Sequence, residues 1–224
     1  MRDANFLVPY LIVIFTAIGF HEYAHCKVAD LSGDPTPRSM GRVTLNLFKH
    51  FDALGSIMIL VTTFSGFGIG WGKPSPANPS LMRNPRWDWF MTVAAGPLSN
   101  ILQASIWAIV FRVILLVDPS AFKDSPFFLW LFILGVFVNV MLALFNLLPL
   151  GPLDGHWLVG LLMPDGPRKK WFMFNARYGF MILIGLVIFD QTMSERMGFS
   201  IFGTLIWPGA QLIGSFMLGQ KIGF

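Results

Sequence analysis

The sequence predicts an all-α polytopic membrane protein: about five transmembrane helices plus a re-entrant, partly extended glycine-rich segment near residues 53–72. Three observations predict it. The 224 residues are 54% hydrophobic and 12% charged, with a mean hydropathy of +0.63, where an ordinary soluble domain carries roughly 25% charged residues. The charges gather in short stretches between apolar runs that are long enough to cross a hydrocarbon core of ~30 Å. None of the polar stretches is long enough for a soluble domain, so residues 1–224 read as one membrane-embedded domain. Its core is expected at about 5–160, with accessory C-terminal helices at about 171–219.

The first span is predicted over 5–29, too long and too polar at its end for a removable signal peptide. Gly33-Asp34-Pro35-Thr36-Pro37 then favours a turn, and the polar stretch to Asp52 follows. Residues 53–71 are apolar again but carry Gly66, Gly68, Gly70 and Gly72 at alternate positions. That period of two predicts extended rather than helical backbone. Gly72-Lys73-Pro74 lacks the Ser or Thr that a phosphate loop needs after its lysine. Further spans are predicted over 87–117, 126–148, 180–189 and 199–218, with 151–177 as a loop.

Loop charge sets the expected orientation. If 53–71 enters and returns, one side holds Arg38, Arg42, Lys49, Lys73, Arg83, Arg86, Arg168, Lys169, Lys170 and Arg177. The other side then holds Arg2, Lys123 and Arg196. The positive-inside rule places the first set in the cytoplasm and the N-terminus outside. Lys73, Arg83 and Arg86 are expected to meet lipid headgroups. The net charge of +4 lies in these loops without aromatic interleaving, so nucleic acid is excluded as a partner. The single Cys26 forms no internal disulfide and reads as a small helix filler.

The chemistry sits at the end of the first span, in His21-Glu22-Tyr23-Ala24-His25. Histidines four apart stack on one helix face, ~6 Å apart along the axis. Both imidazoles can then reach one Zn²⁺, which binds nitrogen at ~2.0–2.1 Å, with Glu22 beside them as a base. Ionisable groups at membrane depth are costly and mark function. A catalytic zinc site needs a third protein ligand. Glu195 lies on the outer side, and His50 and His156 lie in loops where they could coordinate or be solvated. Asp154 closes the third span on the same predicted side as His21, where Pro149 and Pro152 stop the helix. Capping the next helix is its competing role.

These residues, together with Asn146-Leu147-Leu148-Pro149, Leu153-Asp154-Gly155 and Gly96-Pro97-Leu98-Ser99-Asn100, resemble the site-2 protease family of intramembrane zinc metalloproteases. Gly33-Asp34-Pro35 and Gly70-Trp71-Gly72-Lys73-Pro74 look like its compact prokaryotic branch, which lacks a PDZ domain. Gly151 departs from the proline that many relatives carry before Pro152. The resemblance implies one Zn²⁺ per chain held by His21, His25 and Asp154, with Glu22 as general base activating the zinc-bound water. It also implies Asn100 and Asn146 near substrate, where either amide could serve the oxyanion. It implies a transmembrane or membrane-anchored protein substrate in a lipid bilayer, in a prokaryotic cell membrane. The glycine-rich 66–72 could hold an unwound substrate strand by edge pairing, or simply plug the cavity. The alternative is a non-proteolytic metal-binding scaffold or transporter. The sequence leaves the substrate's identity and the oligomeric state open.

Overall fold

The computed structural model describes residues 3–65 and 70–219. Arg2, Gly66 and Gly68 lie outside them, as does the side chain of Glu195. The described residues form helices without strands, and five helical stretches are long and apolar enough to cross a membrane. They are α1 (Ala4–Leu31), α4 (Pro85–Val117), α5 (Pro126–Asn146), the stretch Asp165–Ser194, and α9 (Ile201–Leu218). The shorter helices are α2 (Thr36–Ser39), α3 (Ala53–Ser65) and α6 (Asp154–Leu162).

Helices α1, α4 and α5 pack on one another, and α9 leans on α4 and α5. Lipid is as apolar as leucine, so close packing rather than water exclusion has to join such helices, and small residues allow it. Ala17, Ala104, Ala108, Ala143 and Ala210 are all buried in these seams. Phe111, Phe122 and Phe137 fill the space around them. Leu102, Ile106, Ile109 and Leu116 on α4 point outward, as lipid-facing positions do.

Residues 53–65 correct the sequence expectation. They form the helix α3, not an extended segment. The glycine alternation that suggested a strand begins only at Gly66, while Leu54, Ile57, Leu60, Val61 and Phe64 form an exposed apolar belt on the helix. At 13 residues, α3 is ~20 Å long, too short for a ~30 Å core. The irregular strap 70–78 then returns beside it. A Cβ added at Gly55 would lie 2.4 Å from the Trp71 carbonyl oxygen, so strap and α3 touch backbone to side-chain position.

The two ends of this excursion meet. The Lys73 N–H donates to the His50 carbonyl (2.8 Å). Buried Arg42 donates to the carbonyls of Lys73 (2.6 Å) and Pro74 (3.2 Å). Fully buried Asp34 accepts from the Thr36 N–H (2.9 Å) and the Asn78 N–H (2.6 Å). Cys26 is buried in α1 with its Sγ 3.2 Å from Ser75 Oγ. The stretches 31–52 and 73–84 are therefore one polar platform at one end of the bundle. Arg83 also bonds to it, and Arg86 to the end of α6. Arg83 donates to the Leu31 carbonyl (2.5 Å), and Arg86 to those of Leu161 (2.9 Å) and Met163 (3.2 Å). Each satisfies carbonyls that a helix end leaves open.

Residues 151–177 also differ from the expected loop. After α6, a second helix α7 (Asp165–Phe174) runs through a π-helical turn (Asn175–Gly179) into α8 (Phe180–Met197). Arg168, Lys169 and Lys170 thus sit on the first turns of the fourth span. Their charge hid a helix start that Asp165 and Pro167 encode.

Because Arg42 and Lys73 bind one end of the excursion and Arg86 joins α4 to the end of α6, Ser75 and Pro164 should share a side. In a Cys26→Ala background, single cysteines at these positions are expected to react with an impermeant thiol reagent from the same face of sealed vesicles. Labelling from opposite faces would make 53–71 a crossing segment.

Candidate metal centre

His21 and His25 sit one turn apart near the end of α1, 6% and 7% exposed, with rings edge to face. Their Nε2 atoms are 3.1 Å apart. The third span ends at Asn146, and the proline-broken segment that follows delivers Asp154 to the first position of α6. The Asp154 side chain makes no capping bond there; Leu153 is the cap residue. Its carboxylate turns instead to the histidines, Oδ2 3.3 Å from His21 Nε2 and Oδ1 3.5 Å from His25 Nε2. One ligand atom from each of the three residues lies within 4.8 Å of the others.

The remaining ring nitrogens decide what this cluster can hold. His21 Nδ1 is 2.7 Å from Asn100 Oδ1, and His25 Nδ1 is 2.7 Å from the Thr92 carbonyl oxygen. Oxygens of this kind can only accept once the Asn100 amide is oriented by its other bonds, so each Nδ1 carries the proton and donates it. Both Nε2 atoms then present lone pairs, toward each other and toward a carboxylate. Asp154 Oδ2 is buried there without a hydrogen-bond partner. Three lone-pair donors facing one point repel unless a cation lies between them. Two imidazole nitrogens and a carboxylate oxygen fit Zn²⁺, with a coordination position left for a reactant.

Asn100 sits behind His21 rather than in front of it. It is fully buried, and its Nδ2 donates to the Ala17 carbonyl (3.2 Å) and to Asn139 Oδ1 (2.9 Å). Its donors are thus spent, and the expected place near the substrate or oxyanion is corrected to one that orients His21. Asn139 in turn donates to the Gly135 carbonyl (2.9 Å). Asn146 lines the cavity, but its Nδ2 donates back to Leu142 of its own helix (2.9 Å). His50 and His156 are buried, not solvated, and neither joins the cluster. Each spends a ring nitrogen on a backbone carbonyl, of Thr44 (2.9 Å) and Leu153 (2.6 Å), and burial lowers both imidazoles below their ordinary value.

Three contributions lie beyond the sequence reading, one of them from Gly96, which it holds only as part of a motif. A Cβ at Gly96 would lie 2.4 Å from His25 Nε2 and 2.6 Å from His21 Cε1, so only glycine lets α4 reach the pair. Asn139 could have been found as an amide isolated in an apolar span. The Thr92 carbonyl has no sequence signal at all.

Glu22 faces a cavity of about 900 Å³ that also reaches His21, His25 and Asp154. The strap covers it: a Cβ at Gly72 would lie 3.0 Å from Glu22 Cγ and 3.3 Å from its Oε1. The other walls are mostly apolar, among them Ile14, Met141, Phe145, Leu183 and Val187, with Asn146, Asp190 and Gln191 as polar exceptions.

Over 189 residues the chain is 36% identical to "Putative zinc metalloprotease YwhC" of Bacillus subtilis (strain 168), covering 81% of each chain. The chain belongs to this site-2 protease-like zinc metalloprotease family. It is also similar to "Putative zinc metalloprotease Rip2" of Mycolicibacterium smegmatis, 27% identical over 84% of this chain and 71% of the relative. With "Putative zinc metalloprotease MJ0611" of Methanocaldococcus jannaschii it shares 39% identity over 28% of each chain. No family model matches the chain, and no solved structure does. Zinc in the names of these relatives agrees with the donor set assembled here.

Residues that hold ligands in place typically contribute 10–100-fold to metal affinity. Asn100→Ala is expected to weaken zinc binding by about that factor in a chelator titration. Gly96→Ala should abolish tight binding while helical circular dichroism persists. Wild-type affinity in both variants would disprove the arrangement.

Proposed function

We propose that this chain is an intramembrane zinc metalloprotease that hydrolyses peptide bonds of transmembrane or membrane-anchored proteins. The observation that carries this reading is the convergence of His21, His25 and Asp154 on the wall of an apolar cavity that Glu22 shares, within a membrane-spanning bundle. In it, His21, His25 and Asp154 hold one Zn²⁺. When bound, that ion supplies Lewis acidity and lowers the pKa of a water from about 15.7 to about 7.

The chain's own residues do the rest. Glu22 takes the proton of the attacking water at a carboxylate oxygen and returns it to the leaving amine, so the cycle consumes no other acid or base. A transmembrane substrate hides its peptide bonds in its own helical ladder and has to unwind before attack. The strap, irregular over 70–78 and packed against Glu22 at Gly72, offers a backbone edge for the unwound strand. Asn146 faces the same cavity and is the remaining asparagine that could meet substrate. The basic residues of the platform favour a cytoplasmic metal end and an outer N-terminus, in a prokaryotic cell membrane.

A scaffold or transporter would need the three ligands but no carboxylate beside them. Glu22→Gln should therefore keep its zinc and lose cleavage of a membrane-embedded substrate by roughly 10²–10⁴-fold. Unchanged cleavage would sink the protease reading. Asp154→Ala should lower the zinc-to-protein ratio on metal analysis, and full retention would remove Asp154 from the ligand set.

A further inference from the structure

The segment that delivers Asp154 is held from outside by the fourth span. The Gly151 N–H, three residues before Asp154, donates to Asn175 Oδ1 at 2.8 Å. Asn175 is 4% exposed and donates its own Nδ2 to the Trp171 carbonyl (3.2 Å). It opens the π-helical turn Asn175–Gly179. At the other end of that turn a Cβ on Gly179 would lie 2.9 Å from both the nitrogen and the oxygen of Gly151. Turn and loop thus meet backbone to backbone. An apolar contact runs beside this polar one, because Leu153 is buried with Leu183 and Val187 of α8.

We infer that Asn175 is a positioning residue for the metal ligand Asp154, acting through the Gly151 N–H; this rests on the reading of Asp154 as a ligand. The proline-broken segment 147–153 has no regular secondary structure of its own to fix the carboxylate. A ligand has to be held within about 0.5 Å of its productive place, which takes neighbours that are themselves locked. Asn175 is locked by burial and by its bond to Trp171, and the wide turn brings its acceptor to the loop. The π turn is the local device that does this, as such turns often do at functional sites. Glycine at 151 has a matching reason. Proline there has no N–H to donate, so the departure at Gly151 and the amide at Asn175 form one unit.

The test is zinc affinity of the full-length chain in detergent micelles, read by chelator competition, with the thermal midpoint of the metal-free protein as control. Asn175→Ala should weaken zinc binding about 10–100-fold, the usual loss for a group that orients a ligand, with the metal-free midpoint changed little. Asn175→Asp keeps the acceptor oxygen and should recover most of the affinity. Gly151→Ala keeps the N–H, with its Cβ 3.3 Å from the Asn175 carbonyl oxygen, and should stay closer to wild-type affinity than Gly151→Pro, which should lose affinity as Asn175→Ala does. The double variant Gly151→Pro/Asn175→Ala should be no weaker than either single, since both remove one bond. Additive losses overturn the inference. So does equal affinity of Gly151→Ala and Gly151→Pro, a comparison that decides the matter even if Asn175→Ala fails to fold. Asp154→Ala separates the two levels: if it lowers affinity and Asn175→Ala does not, the positioning role alone fails. If Asp154→Ala leaves affinity unchanged, the ligand reading fails first.

Discussion

Two short hydrogen bonds on the far side of the imidazoles govern the architecture around them. His21 and His25 each give the Nδ1 proton to an oxygen of α4, one from a side chain and one from the backbone. Inside a span no water can substitute for these partners. Helix α4 therefore has to run close enough for both oxygens to reach, and that closeness is what Gly96 permits. Asn100 must keep its oxygen toward His21, which its bonds to Ala17 and Asn139 ensure. The three-helix seam of α1, α4 and α5 is thus fixed by the needs of two rings as much as by its alanines. The same protons also determine which ring nitrogens are left bare, so packing and ligand chemistry have one origin.

The second constraint is length. Thirteen residues of helix are too short to cross the bilayer, and Gly70 and Trp71 lie back against α3 at Ile59 and Gly55. The chain returns as an irregular strap pinned by Arg42 and by the His50 carbonyl, and the return lays Gly72 against Glu22. Non-helical backbone at such depth is tolerated where protein buries it or a cavity borders it. Here α3 lies on one side and the cavity on the other.

Much of this was legible in the residues themselves. Five apolar stretches and the His21–Glu22–His25 pattern could be read because hydropathy and residue type report them directly, and loop charge put Asp154 on the side where it meets the histidines. The α-helix over 53–65 was misread because glycines that follow it suggested a strand, and α7 because its first turns carry charge. For Asn100 the family resemblance implies a place near substrate, and the residue type alone does not say that its oxygen serves His21. The Thr92 carbonyl and the Gly96 approach could not be read at all. One is a backbone atom common to every residue, and the other depends on how near a second helix comes. Distances between elements, unlike the elements, are written only in the packing.

Gly96 has one more consequence. At Gly96 the backbone of α4 lies against His25 Nε2 and His21 Cε1, the ring edges that face the cluster, so it forms one wall of the centre. The bare nitrogens face the cavity, whose walls also include the strap and Glu22. A missing methyl group on one helix thereby keeps open the space at the bare nitrogens, which any side chain at that position would fill.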